Sequence, residues 1–557
     1  MNRKAIGIDL GTTYSCVAIV GNSGKPEVLL NADGERTTPS AVWFDEDNRI
    51  VVGEEAKQEA PLSPGEVATF IKREMGSDSY VFSCSQGDFR PEEVSAYILK
   101  KLVQDASARL GQEVRDVVIT CPAYFSHKER EATKAAGQLA GLNVLEILNE
   151  PTAAAMAYGL SRSQGKGNRH ILVYDLGGGT FDVTIIHVSP AGLKVVCTDG
   201  NHQLGGKDWD DVMLDMLVSR LQHSADSVID LKSDAAAMQD LRLLAEKTKK
   251  LLTSKIEVQT SYKYRGEKLY ACVSREEFES ETEALLNRTL EDTRHAVEVA
   301  RSKGVDKIDE LILVGGSTYM PQVPAMLRRE FGLMPVSYDP DEAVAKGAAI
   351  CAMAHLLREE ADGFSLEPNT TGDFSLETKE KLQQLADEHD MTLEAISTIV
   401  TPTYNVSSRS FGEILVRESD YVNRIYNILY KNTTLPAEAS LTSYTLQDNQ
   451  TGVKTLVVDN MVELPTTDAE IHALNTEGID PAAGNVIWEG VLPIKPGLPK
   501  GSPIETIFRL SEDGMLHILS RDPASGQTIE GEVKTGSSIP VSEMRQMQRK
   551  LNNMIIE

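Results

Sequence analysis

Two glycine-rich segments hold the residues of this chain whose types and spacing are best suited to chemistry. In each, an apolar strand ends in Asp, the chain turns through glycine and threonine, and a second apolar strand follows. These residues are Asp9, Gly11, Thr12 and Thr13 in the first segment and Asp175, Gly177, Gly178, Gly179, Thr180 and Asp182 in the second. Glycine amides and threonine hydroxyls donate hydrogen bonds to phosphate oxygens, and aspartates hold hydrated Mg²⁺. Together they predict a nucleoside triphosphate site with magnesium.

The repetition of the segment is what favours a ligand over simple chain reversal. One glycine-rich turn alone is as typical of a tight hairpin as of a phosphate loop. A hairpin repeated with its polar tip predicts two similar lobes that present like loops to one shared ligand. A third turn, LILVGGSTYMP, supplies Gly315, Gly316 and Ser317 and is suited to a ribose or a base. The sequence lacks the P-loop pattern, so the predicted phosphate site has another design.

The net charge, the cysteine pattern and the first residues of the chain argue against some classes of partner and site and indicate a location in the cell. The 557 residues carry a formal net charge of -27, which argues against binding to nucleic acid or to an anionic membrane surface. The six cysteines are scattered, so their pattern predicts neither a disulfide framework nor a zinc site. The first residues lead into a strand without an apolar leader, and we expect a cytoplasmic protein.

The elements that must position these residues change in type along the chain. Residues 1–357 alternate short apolar strands with amphipathic helices, which predicts an α/β domain. Residues 358–400 are predicted as a linker with one short helix, LETKEKLQQLADEHD. Residues 401–540 have the short strands and turns of an all-β domain, and residues 541–557 are predicted as a short helical tail.

These motifs resemble those of the DnaK-type heat-shock chaperones, the heat shock protein 70 family, over nearly the whole chain. In the N-terminal part the likeness rests on IGIDLGTTYSCVAI, VITCPAYFSHKEREATKAAGQLAGL, ILNEPTAAAMAYGL, YDLGGGTFDVTII, LILVGGST and DPDEAVAKGAA. In the C-terminal part, NTTLP, DNQTGV and EDGMLHILSRDPASG look like the family's β-sandwich peptide-binding domain. The resemblance implies a duplicated actin/hexokinase-like (ribonuclease H-like) α/β ATPase domain followed by an all-β sandwich domain, as in a short lidless bacterial branch.

The resemblance also implies catalytic roles that residue type and spacing leave open. Lys72, in FIKREMG, matches the family's catalytic lysine, whereas its type alone predicts a surface lysine. Glu150 matches the glutamate that helps to position the attacking water, and it also suits the first turn of a helix. Thr180, Asp9 and Asp182 complete the implied set, with the two aspartates organising Mg²⁺ and K⁺.

The remaining implied contacts surround the nucleotide, ATP or ADP. The β- and γ-phosphates are assigned to the threonines of the two repeated turns and to the neighbouring glycines. The segment AEKTKKLLT looks like the adenosine-binding helix, although its lysines are equally typical of a solvated face. The implied cofactor-binding residues are Gly11, Thr12, Thr13, Asp175, Gly177, Gly178, Gly179, Gly205, Gly206, Glu246, Lys249, Lys250, Thr253, Gly315, Gly316, Ser317, Tyr319 and Asp341.

Several features depart from the family's pattern. Tyr319 stands where the family has an arginine that stacks on adenine, and a tyrosine ring can also stack. Glu146 stands where the family has a basic residue that docks a J-domain co-chaperone, and we expect its charge to repel such a partner. The family's other partner is a nucleotide exchange factor. Because the usual linker is replaced and the helical lid is missing, we expect weak coupling between ATP and substrate.

The sequence therefore predicts an ATP-dependent molecular chaperone that hydrolyses ATP slowly and binds exposed apolar segments of unfolded or client proteins. Two alternatives stay open. One is a specialised ATP-regulated binding or regulatory protein without general foldase activity. The other is a small-molecule kinase of the same superfold, which would have no need of the C-terminal β-domain.

Overall fold

The computed structural model contains an α/β part of two lobes and a C-terminal β-domain. It describes residues 3–45, 49–162, 168–226, 228–369, 371–465, 467–512, 514–532, 541–552 and 554–557. The predicted domain boundary at residue 540 lies outside these residues. Among the helices within these ranges, none is both long enough and apolar enough to cross a bilayer.

Lobe I, residues 3–162, is built on a mixed sheet with the strand order β11-β10-β1-β2-β3, and β4 also pairs with β2. Its strands are β1 (Ala5–Asp9), β2 (Tyr14–Val20), β3 (Pro26–Val28), β4 (Thr37–Pro39), β5 (Val42–Phe44), β6 (Arg49–Val52), β7 (Val67–Ala68), β8 (Phe82–Cys84), β9 (Gly87–Phe89), β10 (Asp116–Cys121) and β11 (Asn143–Asn149). Its helices are α1 (Glu54–Glu59), α2 (Pro91–Leu110), α3 (His127–Leu139) and α4 (Glu150–Arg162), with a 3₁₀ turn at Ile71–Glu74.

Lobe II, residues 168–341, repeats this architecture. Its strands are β12 (Arg169–Leu176), β13 (Phe181–Ser189), β14 (Gly192–Asn201), β15 (Glu257–Tyr264), β16 (Glu267–Ser274), β17 (Glu310–Val314) and β18 (Val336–Ser337). Its helices are α5 (Gly206–His223), α6 (Ala235–Leu252), α7 (Arg275–Glu281), α8 (Glu283–Ser302) and α9 (Gln322–Phe331), with a 3₁₀ turn at Gly316–Tyr319. The sheet order β18-β17-β12-β13-β14 matches that of lobe I strand for strand, including the antiparallel hairpin and the parallel crossover beside it. The predicted duplicated α/β fold is confirmed.

Two helices hold the lobes together. Helix α4 is the last helix of lobe I in the chain and packs on β12 and β13 of lobe II as well as on β10 and β11 of its own lobe, whereas α10 (Ala343–Glu360) follows lobe II and packs on β1 and β2 of lobe I. The helices also pack on each other so closely that a β-carbon at Gly347 would overlap the backbone of Ala153. Small residues at this crossing therefore set the spacing between the lobes.

The segment predicted as a linker is folded against the α/β part. It contains α11 (Leu376–His389), at the predicted short helix, and a second helix, α12 (Leu393–Ile399), that the sequence reading missed. Leu382, Leu385 and Ile396 are fully buried in the core that surrounds α4 and α10. Burial of these apolar side chains gives the segment a fixed position. Strand β19 (Thr403–Tyr404) then pairs in parallel with β14 and extends the sheet of lobe II.

The β-domain is a sandwich of two four-stranded sheets, with orders β21-β20-β23-β24 and β22-β25-β26-β27. The strands are β20 (Ser410–Val416), β21 (Asn423–Leu429), β22 (Ala437–Tyr444), β23 (Gly452–Asn460), β24 (Gly484–Pro493), β25 (Pro503–Leu510), β26 (Leu516–Arg521) and β27 (Thr528–Glu532). The predicted sandwich is confirmed. It is not wholly β, however, because α13 (Asp468–Glu477) and a 3₁₀ turn at Pro481–Ala483 connect β23 to β24.

The C-terminal tail packs on lobe I. Helix α14 (Val541–Asn552) lies on α2 and α3, and Leu551 is buried in the lobe I core. Strand β28 (Ile555–Ile556) pairs in parallel with β6 and adds a strand to the sheet of β5, β6 and β7. The tail is therefore a helix followed by a strand, and not only the short helix that the sequence predicts.

The β-domain buries one carboxyl group between its two sheets. Glu413, on β20, is 1% exposed, and its neighbours across the interior include Thr506 on β25. Burial raises the pKa of Glu413 from 4.5 to about 7, against a smaller opposing effect of the Thr506 hydroxyl. The folded protein therefore holds the Glu413 proton more tightly than the unfolded chain does, and this group costs stability as the pH rises from about 4.5 to about 7.

We expect Glu413→Gln to remove this pH dependence. Between pH 6 and pH 8 the wild type loses about 1.4 kcal/mol of folding free energy through ionisation of this group. Urea unfolding of the full chain, followed by tryptophan fluorescence, measures the loss at the two pH values. The matched control is Glu438→Gln, which changes an exposed glutamate paired with Arg509. Equal pH slopes for wild type and Glu413→Gln would contradict the assignment.

Candidate nucleotide site

A cavity of about 650 Å³ opens between the lobes where the two repeated turns meet. The turns join β1 to β2 and β12 to β13, so they have equivalent places in the two sheets, and they touch each other in the folded protein. The predicted site residues that line the cavity are Asp9, Gly11, Thr12, Thr13, Lys72, Glu150, Asp175, Gly177, Gly178, Thr180, Gly206, Glu246, Lys249, Lys250, Thr253, Gly315, Gly316, Ser317, Tyr319 and Asp341. Its size is in the range of small-molecule pockets.

The glycines are needed because the two turns touch. A β-carbon at Gly178 would overlap the side chain of Thr13, and one at Gly179 would overlap that of Thr12. Gly205, at the start of α5, lies against the backbone of Gly179 in the same way. Gly179 and Gly205 thus stand behind the cavity wall and allow its close packing. The amide of Gly177 donates to the backbone oxygen of Thr180 at 3.0 Å within its turn. Other backbone amides of glycine turns are typical anion-binding groups.

The floor of the cavity is crowded with buried charge. The ammonium of Lys72, predicted from its type alone to lie on the surface, is buried and donates to Oε1 of Glu150 at 2.5 Å. Asp9 accepts a hydrogen bond from the hydroxyl of Thr120 at 3.3 Å. Asp182 is 1% exposed and accepts from the backbone amide of Tyr124 at 3.2 Å, behind the residues that line the cavity.

Burial and mutual repulsion shift the pKa values of these groups. Burial, with the charge of Glu150 added, raises the pKa of Asp9 to about 7 and that of Asp182 to about 8, and it also raises the pKa of Asp175. Burial alone would lower the pKa of Lys72, but the charges of Glu150 and Asp9 outweigh it and raise the pKa. The carboxylates together carry more negative charge than the one positive charge of Lys72 can balance. A bound cation would therefore reduce the repulsion between the carboxylates. An all-oxygen donor set fits Mg²⁺.

Charged groups from both lobes meet at the cavity mouth. Lys57, on α1, donates to Glu246 of α6 at 2.5 Å and to the hydroxyl of Tyr14 at 2.8 Å. Lys250, which is exposed, pairs with the same glutamate at 2.7 Å. Burial alone would raise the pKa of Glu246, but the two lysines outweigh burial and lower it to about 2. The glutamate therefore stays ionised at physiological pH and bridges the lobes.

The adenosine side of the cavity combines helix α6 with the third glycine turn. Lys249 is buried, pairs with Asp210 at 2.8 Å and donates to the backbone oxygen of Gly206 at 3.0 Å, so it belongs to the cavity wall and not to a solvated face. The hydroxyl of Ser317 donates to the backbone oxygen of Gly177 at 2.9 Å. Tyr319 is 51% exposed at the rim, where its ring is available for stacking.

The cavity also has lining residues that the sequence reading missed: Tyr14, Thr37, Asp210, Met320, Pro340 and Val344. Tyr14 and Met320 adjoin the recognised turns, so adjacency in sequence was a usable signal for them. Asp210 reaches the site only through the packing of α5 on α6. Glu146 lies elsewhere, in a narrow crevice with residues 405–409 of the β-domain approach.

Comparison with known proteins identifies the protein family to which the chain is similar. A family model described as Hsp70 protein matches residues 5–83 and 78–421. The Chaperone protein DnaK of Thermosipho africanus is 37% identical over 568 aligned residues, which cover 100% of this chain and 83% of the relative. Those of Halobacterium salinarum and Thermotoga maritima are 35% and 37% identical, and they match 98% and 97% of this chain and 77% and 82% of their own length.

We expect Lys57→Met to loosen the closure of the cavity mouth. Loss of the Lys57–Glu246 ion pair, worth about 1 kcal/mol, raises the release rate of a fluorescent ADP analogue roughly fivefold in a stopped-flow chase. The matched control is Lys247→Met, an exposed lysine on the same helix as Glu246. If both variants release ADP at the wild-type rate, the bridge plays no part in holding the nucleotide.

Proposed function

This chain belongs to the Hsp70 family, and from that premise we propose which of its residues bind and hydrolyse ATP. As a family member it is an ATP-dependent molecular chaperone that hydrolyses ATP and binds client polypeptides. The relatives give no support to a regulatory protein without foldase activity or to a small-molecule kinase. The observation that carries the residue assignment is the inter-lobe cavity with the Lys72–Glu150 pair at its floor.

The two repeated turns are proposed to bind the β- and γ-phosphates. Their glycine amides and the hydroxyls of Thr12, Thr13 and Thr180 donate hydrogen bonds to phosphate oxygens. The adenosine lies between α6 and the third glycine turn, with Tyr319 against the base and Lys250 near the ribose. Contact of the two turns requires that the lobes be closed, so nucleotide and lobe closure stabilise each other.

Hydrolysis is proposed to depend on the buried pair at the cavity floor. The ammonium of Lys72 stabilises the charge that develops on the transferred phosphoryl group and on the attacking water. Glu150 fixes that ammonium through the 2.5 Å contact and accepts a hydrogen bond from the water. Mg²⁺, held by Asp9 and Asp182, supplies charge neutralisation of the phosphates when bound. K⁺ at the same carboxylates is a further proposal.

Clients are proposed to bind the β-domain as extended segments. Strand β22 lies at an edge of its sheet, and its side chains alternate between half-buried and exposed, with Tyr444 62% exposed at its end. An edge strand offers backbone groups to an extended peptide, and apolar side chains beside it give selectivity. This arrangement supports binding of exposed apolar client segments.

The β-domain has physical contacts through which ATP can act on it. Lys431 is buried and pairs with Asp199 of β14 at 3.1 Å, and Asn432 accepts from the backbone amide of Thr198 at 3.0 Å. Strand β19 joins the same lobe II sheet. We propose that lobe movement reaches the β-domain through these contacts.

Co-chaperones and location rest on the family and on charge. A nucleotide exchange factor is a proposed partner. A J-domain that binds a basic residue at this position is expected to bind weakly, because Glu146 is negatively charged. The acidic net charge of -27 supports a protein without nucleic-acid or membrane partners, and the cytoplasm is the proposed location.

We expect Lys72→Ala to abolish most hydrolysis while nucleotide affinity changes little. The lysine acts in the transition state, so the single-turnover rate falls on the order of 100-fold or more. Because the change leaves Glu150 buried without its partner, thermal unfolding is measured alongside turnover. Lys128→Ala, which removes an ammonium paired with exposed Asp78, is the control. Unchanged turnover in a folded Lys72→Ala protein would remove this residue from the mechanism.

We also expect client peptides to leave the β-domain rapidly and ATP to change their affinity only modestly. Helix α14 packs on lobe I, and the segment between the domains is folded against the α/β part through α11 and α12. Fluorescence anisotropy with a labelled apolar peptide, first in ADP and then in ATP, gives both dissociation rates. Slow release in ADP, or a large release on adding ATP, would contradict the expectation. Lys431→Met, compared with exposed Lys454→Met, tests whether the remaining ATP effect passes through the Asp199 contact.

A further inference from the structure

Three side chains with metal-binding atoms converge on the face of lobe I beside the β-domain. Glu146 lies on β11, and Cys351 and His355 lie on α10. Oε2 of Glu146 is 2.7 Å from Nε2 of His355 and 3.2 Å from the sulfur of Cys351. All three ligand atoms lie within 4.8 Å of one another. The group is separate from the nucleotide cavity, whose lining includes none of these residues.

The backbone presents the three groups in a way that suits one ion. Cys351 and His355 are four residues apart in α10, so both side chains lie on the same face of the helix. Strand β11 packs against that helix and directs Glu146 between them. Helix and strand are both regular elements, which hold ligands more firmly than loops do.

The donor types and separations match a transition metal better than Mg²⁺. Zinc binds thiolate sulfur at about 2.3 Å and imidazole nitrogen or carboxylate oxygen at about 2.0–2.2 Å, so tetrahedral ligand atoms lie roughly 3.2–3.8 Å apart. For a thiolate sulfur and a carboxylate oxygen the expected separation is roughly 3.5–3.7 Å, so the 3.2 Å contact between Cys351 and Glu146 must open by roughly 0.4 Å. The 2.7 Å contact between His355 and Glu146 must open by roughly half an ångström, which a small rotation of either side chain provides.

The environment leaves a route for an ion. Cys351 is buried, whereas the side chains of His355 and Glu146 are 32% and 19% exposed. Solvent can therefore reach the cluster. Glu146 also lines the crevice that contains Asn405 and Arg409, so the cluster borders the approach to the β-domain.

We propose that Glu146, Cys351 and His355 form a binding site for a zinc-class divalent transition metal, with solvent as the fourth ligand. The soft thiolate and the imidazole select such an ion over Mg²⁺. Bound metal braces β11 to α10 next to residues 405–409. The proposal differs from the expectation drawn from the scattered cysteines, because the thiol's partner Glu146 is 205 residues away in sequence and spacing cannot reveal it.

Cobalt serves as the probe because a thiolate bound to Co²⁺ gives a near-ultraviolet charge-transfer band. Tag-free, reduced full-length protein is titrated with Co²⁺ without nucleotide, and then with Zn²⁺ as competitor. We expect one equivalent of Co²⁺ to saturate the band and Zn²⁺ to displace it. Cys351→Ser abolishes the band, and His355→Gln or Glu146→Gln weakens binding at least tenfold.

Two matched variants separate this site from general thiol and histidine binding. Cys197→Ser removes a buried thiol that donates to the backbone oxygen of Ala296, and His389→Gln removes a histidine paired with Glu360 at 2.6 Å. Both should keep the wild-type titration, and circular dichroism checks that every variant is folded. A band that survives in Cys351→Ser, or one that appears only with millimolar metal, overturns the proposal and leaves a hydrogen-bonded ion pair. Because the readout needs no ATP, its failure is distinct from a failure of the ATPase assignment.

Discussion

The placement of one ammonium among buried carboxylates is the constraint on which the rest of the structure depends. Lys72 pairs with Glu150 at 2.5 Å, beside buried Asp175 and Asp182 and half-buried Asp9. Bringing like charges together out of water is costly, and burial raises the pKa of each aspartate in response. A site built in this way gains stability from a cation and from the phosphates that accompany it. Ligand binding and lobe closure thereby become one energetic event.

The duplicated sheets explain how these charged groups come together. Because the two sheets have the same strand order, the turn after β1 and the turn after β12 occupy equivalent places in their sheets. The two turns touch through Thr12, Thr13, Gly178 and Gly179. The exchange of α4 and α10 between lobes then fixes the distance, since Gly347 permits contact with the backbone at Ala153. A side chain at that crossing would separate the lobes and with them the paired turns.

Polar contacts and a short strand join the β-domain to this machinery. Buried Lys431 forms ion pairs with Asp199 and Glu463, and β19 extends the lobe II sheet. Such contacts are directional, so a shift of β14 of a fraction of an ångström changes them. The cluster of Glu146, Cys351 and His355, which we propose as a metal site, borders the same approach.

The sequence by itself determined the repeated strand-turn-strand motif with its glycines and threonines and the all-β character of the C-terminal part, because these depend on short-range patterns of glycine, threonine and apolar alternation. The sandwich and the rest of the predicted cavity lining came from the resemblance to the Hsp70 family. It could not place Lys72, whose type predicts exposure, and it read the α11–α12 segment as a linker because polar residues surround its few apolar ones. Only the tertiary structure decided that Leu382 and Ile396 are buried, that β28 pairs with β6, and that Glu146 reaches Cys351. The physical reason is common to all of them: the partners lie far apart in sequence, and burial and pairing are properties of the packed surface that receives a segment.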